Sequence, residues 1–119
     1  MAIEVRLHGN TVFFCAMPDT APANADWARR KRNVVEWLHL SSYAVGVEDA
    51  MKGRSITQQM GLPDRDVASH GGSVPVRVAG VGVVGAVTVS GLPQRDDHEL
   101  VIEVFAELLG KNYVDLRLA

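Results

Sequence analysis

From Ser73 to Gly91 the chain reads SVPVRVAGVGVVGAVTVSG, and valines recur at every second position. Val74, Val76 and Val78 alternate with Pro75, Arg77 and Ala79. After Gly80, a second alternation sets Val81, Val83, Val87 and Val89 on one face. Gly82, Val84, Ala86, Thr88 and Ser90 fall on the other. A valine-rich period of two, broken by Ala-Gly, predicts a β-hairpin. The Val84/Ala86/Thr88/Ser90 face is small but largely apolar. A strand that wants cover on both faces belongs in the middle of a sheet.

The same alternation opens the chain. Ile3, Val5 and Leu7 alternate with Glu4, Arg6 and His8, then Gly9-Asn10 supplies turn chemistry before TVFFCAM, residues 11–17. This predicts an N-terminal hairpin, placed beside the 81–90 strand. A chain that starts almost directly on a strand leaves one sheet face short of cover, which a partner subunit could supply.

Between and after the hairpins the period changes to that of helices. Trp27, Val34, Val35 and Leu38 predict a helix over about 25–39, capped by Asn24. Ser41 or Ser42 caps a second segment to about Met51, with Tyr43, Val47 and Met51 on one side and Gly53 ending it. Residues 55–62 suggest a turn or two after a serine cap. Leu100, Val101, Val104, Phe105, Leu108 and Leu109 give the clearest stripe, a helix over about 97–109. Asp96 and Glu99 form a capping-box pattern before it, and Gly110 closes it. Two hairpins separated by helices, with a helix last, predict an α+β domain, an antiparallel sheet packed by helices. Its 119 residues suit one domain.

Composition narrows the function classes. A net charge of −2 gives no field to recruit nucleic acid or an anionic membrane surface. No apolar run is long enough to span a bilayer. No signal-peptide pattern opens the chain, so the expectation is a cytoplasmic protein. One cysteine, Cys15, excludes an internal disulfide and a multi-cysteine zinc site, and it reads as a core residue of its strand.

Three groups of residues can carry chemistry. Arg29, Arg30, Lys31 and Arg32 can hold a carboxylate, a phosphate or a porphyrin propionate. Four consecutive helical residues cannot all face one ligand, so a solvated, ion-paired face competes with that reading. His70-Gly71-Gly72 sets an imidazole beside two permissive residues at the mouth of the central strand, where it could meet a metal or haem iron. An exposed loop histidine is the plainer reading. His98 follows Asp97 in the first turn of the last helix, where the carboxylate could orient the ring. A surface first-turn residue is its alternative. The histidines match no compact metal signature. Ser90 has no triad pattern, and the glycines at 80, 82 and 85 do not open a helix, which excludes a dinucleotide fingerprint.

Three stretches, NADWARRKRNVV, SSYAVG and HGGSVPVRVAGVGVVGAVTVSGLPQRDDHELVIE, resemble in order the small uncharacterised branch of the heme-degrading domain family, the GlcG-like and HbpS-like group. The resemblance implies a profilin-like fold, with a central antiparallel sheet bearing helices on its faces, and homo-oligomers. Members usually place a further helix before the first strand, and this chain is expected to lack it. Some relatives bind haem or take part in its degradation, but no universal catalytic motif carries across. The leading expectation is a small-molecule binding module, with haem or a related tetrapyrrole as candidate. His70 or His98 would contact iron, and Arg29, Arg30 or Lys31 the propionates. The alternatives are a ligand-free homo-oligomeric interaction protein, and an enzyme using Asp97 and His98 as an acid/base pair on a small anionic metabolite.

Overall fold

The computed structural model describes residues 1–119. Four strands, β1 (Ala2–Leu7), β2 (Asn10–Ala16), β3 (Ser73–Val78) and β4 (Gly82–Ser90), form one antiparallel sheet in the order β2-β1-β4-β3. β4 is interior, as its two-sided apolar pattern requires, and the N-terminal hairpin pairs with it through β1. Register sets the two faces. Ala2, Glu4 and Arg6 on β1 lie opposite Ser90, Thr88 and Ala86, while Ile3 and Val5 lie opposite Val89 and Val87. Side chains alternate across a strand, so one face is small and polar and the other aliphatic.

The small, polar face is covered by α1 (Pro22–Leu38), which packs along β3 and β4. Small side chains at Ala86, Thr88 and Ser90 let the helix backbone lie close. α1 begins three residues before its expected start. Pro22 occupies the first helical position, which suits a residue without an N–H. Asn24 is therefore not the N-cap but sits one turn in, and its Oδ1 accepts the Ala21 N–H at 3.0 Å.

Ser41 caps α2 (Ser42–Lys52) by accepting the Ala44 N–H, and Gly53 ends it in the left-handed region. The buried residues of α2 are Ser42 and Val45; Val47 and Met51 point outward. Val45 joins Val34 of α1 and Val67 in a small core away from the sheet, with Leu38, Ile56 and Leu62 around it. A short helix, α3 (Ile56–Gln59), capped by Ser55, and a 3-10 turn at Asp64–Asp66 lead back to β3.

The aliphatic face is covered by α4 (Gln94–Leu109), again starting three residues early. Pro93 precedes it without a side-chain cap, so Asp96 and Glu99 form no capping box. Val101 packs with Val74 and Val89, and Met1, Ile3, Val87, Leu100, Ile102 and Phe105 surround them. The tail forms α5 (Tyr113–Leu116), tied back where the Tyr113 hydroxyl and Leu118 N–H both donate to Glu99. Cys15 is half-buried on the edge strand β2 rather than in the core.

Candidate functional site

At the C-terminal end of β4 the chain must turn from strand to helix, which leaves the Gly91 and Leu92 amides needing acceptors. Asp97, one turn into α4, supplies them. Its carboxylate accepts the Leu92 N–H at 3.0 Å and the Gly91 N–H at 3.3 Å, and it is fully buried. The third donor is the Lys31 ammonium, 3.0 Å away and contributed by α1 across the end of the sheet. Lys31 is 4% exposed, so this member of the basic run is not part of a solvated face. Buried charges persist only when paired and hydrogen-bonded, and this pair meets that condition.

Gly72 makes the pairing possible. Its φ is +141°, and a Cβ there would collide with the Val89 carbonyl oxygen and stand 2.9 Å from Lys31 Nζ. Glycine is required both for that backbone conformation and for the room the lysine takes.

A cavity of about 270 Å³ opens above this pair. Lys31 and Asp97 line it with Asn24, Ser90, Gly91 and Gln94, while Trp27, His70 and Leu92 supply its less polar wall. The Trp27 and His70 rings lie 5.4 Å apart at a 45° tilt, and the Arg30 guanidinium stands 4.5 Å over the indole. The His70 pKa is lowered, first by burial and then by the charges of Lys31 and Arg30, so the imidazole is neutral at pH 7. Gln94 fixes the loop beside it by accepting the Gly71 N–H at 3.0 Å.

Of the residues singled out in the sequence, Lys31, His70 and Asp97 converge on this cavity, and Gly71 and Gly72 form its supporting loop. Arg29, Arg30 and His98 do not line it. Arg29 donates to Asp26 and Asp66, and Arg30 to the Asp64 and Val67 carbonyls. Asp97 does not orient His98, because consecutive helical residues diverge by about 100°. The His98 ring packs against Tyr43 at 5.0 Å, and its buried Nδ1 has no hydrogen-bond partner. Burial lowers its pKa, with Glu99 opposing.

Trp27 reads in the sequence as a core position and Asn24 as a cap, yet both face the cavity. Ser90 and Gly91, like Trp27, are among the positions that match the resembled family, whereas Leu92 and Gln94 carry no signal of their own. Asp97 was the available clue, since a carboxylate a few residues after a Ser-Gly-Leu-Pro turn is placed to accept that turn's amides.

Comparison with known proteins adds identity to this geometry. The chain is 51% identical over 118 residues to a UPF0303 protein of Azotobacter vinelandii, a match covering 99% of this chain and 71% of that one. It is 49% identical to a UPF0303 protein of Acidobacterium capsulatum, covering 99% and 72%. Among solved structures, the Ybr137w protein superposes with a TM-score of 0.78 at 23% identity, which shows a shared fold; 92% of this chain is covered and 66% of that one. The model of the family described as haem degrading protein HbpS-like matches residues 1–106. With nearly nine-tenths of its length matched, and relatives half-identical throughout, the chain belongs to the HbpS-like family.

Proposed function

We propose that this protein is a small-molecule binding module of the HbpS-like type, with its site in the Lys31–Asp97 cavity. The observation that carries the reading is a buried ammonium facing a polar cavity with one partner only. An ammonium has three N–H donors, and Asp97 takes one. Binding would change the packing of Trp27, so its fluorescence is a direct readout in a Trp37→Phe background. A screen of small polar and charged fragments should give saturable changes in that fluorescence. A complete absence of saturable binding would remove this assignment.

Haem, the group the family's description points to, does not fit this site within one chain. The cavity is below the roughly 300–1,000 Å³ typical of sites for drug-sized ligands, and only two of its nine lining residues are hydrophobic. The wholly apolar groove under α4 contains no histidine. Arg29 and Arg30 already have partners. Hemin titration is expected to give no Soret shift that depends on His70 or His98, and a shift abolished by His70→Ala would restore the haem assignment.

A second reading, assembly of identical subunits, is favoured by a different observation. β2 is an edge strand whose Val12, Phe13 and Phe14 are all exposed, and no proline or charge lies within Asn10–Ala16. Edge strands of that kind pair readily with another chain. Light scattering at micromolar concentration should report more than one subunit, and a strict monomer removes this reading.

A further inference from the structure

We propose that the Lys31–Asp97 cavity takes a small organic monocarboxylate, bound through the two ammonium donors of Lys31 that Asp97 leaves free; this rests on the reading of that cavity as the binding site.

Asp97 and Lys31 differ in how far their hydrogen-bonding capacity is filled. Asp97 has three donors on its carboxylate, from Lys31, Gly91 and Leu92. It is the only acidic residue among those lining the cavity. Its hydrogen-bonding capacity is largely filled, so it offers little to a cationic ligand. Lys31 is in the opposite state. Its ammonium is almost wholly removed from water, has one acceptor, and borders open space. A buried donor without a partner is costly, and a ligand acceptor relieves that cost.

Charge and size set the ligand class. Lys31 and Asp97 nearly cancel, so the excess positive character comes from two weaker sources. One is the N-terminal end of the sixteen-residue helix α4, whose Gln94 lines the cavity. The other is Arg30, stacked on Trp27 behind the wall. That excess suits one negative charge, and Asp97 repels a second. About 270 Å³ corresponds to roughly nine water volumes, so the ligand is small. Trp27, His70 and Leu92 give an apolar body a wall to pack on while the carboxylate meets Lys31.

The test compares benzoate with benzamide, its uncharged isostere, and with inorganic phosphate, using Trp27 fluorescence in the Trp37→Phe background. Benzoate is expected to bind saturably and at least about tenfold more tightly than the other two. Removing the charge pair with the near-isosteric Lys31→Gln/Asp97→Asn double variant should weaken benzoate by about tenfold or more and leave benzamide unchanged. Should that variant not fold, the unaltered cavity still decides the question through benzoate against benzamide, whose difference is the charge alone. Benzamide binding as tightly as benzoate, or phosphate binding more tightly, overturns the carboxylate assignment and leaves the cavity as a site. Failure of all three probes, together with failure of the wider fragment screen, overturns both.

Discussion

The two faces of the sheet are built from opposite chemistry, and the contrast explains where function lies. Toward α1, the strands present Glu4, Arg6, Thr88 and Ser90. They meet a helix whose Lys31, Arg32 and Glu36 are also charged. Arg6 pairs with Glu36 at 2.7 Å, Arg32 with Glu4 at 3.3 Å, and Lys31 reaches across to Asp97. Toward α4, the same strands present Ile3, Val5, Val87 and Val89 to Leu100, Val101, Val104, Phe105 and Leu108 without a polar group among them. Directional pairs hold α1 in one position and leave a shaped polar cavity at the sheet's end. Non-directional burial holds α4 but leaves an open apolar groove, with Leu108 75% exposed. Burial supplies stability, and paired polar groups supply a site.

The largest effect should come from breaking the pair that closes the polar face. Asp97→Ala strands the Lys31 ammonium and two backbone amides, and a loss of about 3–5 kcal/mol is expected from denaturant midpoints. Asp97→Asn keeps an acceptor for one amide and should lose less. A loss below about 1 kcal/mol for Asp97→Ala would mean this face is held by something other than its charges.

On the apolar face, Val101→Ala removes a fully buried side chain from the cluster with Val74 and Val89. About 1.5–3 kcal/mol is expected. The cost should add to that of Asp97→Asn only partly, since both residues lie on α4 one turn apart.

A smaller effect, read by pH, concerns His98 between α4 and α2. Its pKa is lowered in the fold by burial against Tyr43, with Glu99 as the opposing charge, and His70 shifts the same way. Above about 6.5 both rings are neutral whether folded or unfolded, and stability is fully present. As pH falls through that value the unfolded chain takes protons first, so stability declines until the folded-state pKa values are passed. Thermal unfolding from pH 8 to pH 5 should show the decline, and His98→Leu should flatten part of it. An unchanged midpoint across that range would place both imidazoles in water.

The smallest expected effect is the most direct probe of the open groove. Leu108→Glu should alter single-chain stability by no more than about 0.5 kcal/mol. If subunits meet on this face, the same change should shift light scattering toward the monomer. A large loss of stability without any change in assembly would mean the groove is closed rather than open.

Much of the sheet was legible in the sequence because its signal is local. The valine period of β4, with apolar residues on both faces, called for two neighbouring strands, and it has β1 and β3. The helices α1 and α4 both start three residues before the pattern predicts, because in each a proline starts the turn while the polar residue that resembles a cap sits inside the helix. The stripe Tyr43, Val47 and Met51 misled for another reason. α2 buries its opposite side against α1 and Val67, and neither neighbour is visible from α2 alone.

The sequence by itself determined the four strands, the main helices, the interior place of β4 and the family, since these depend on short-range periodicity and on long runs of matching residues. Only the tertiary structure decided which member of Arg29–Arg32 is a site residue. Every position in that run has the same charge, and burial singles out Lys31 because Gly72 leaves it room and Asp97, 66 residues away, gives it a partner. Sequence pattern records what a side chain is, whereas a buried ion pair depends on what the fold brings beside it.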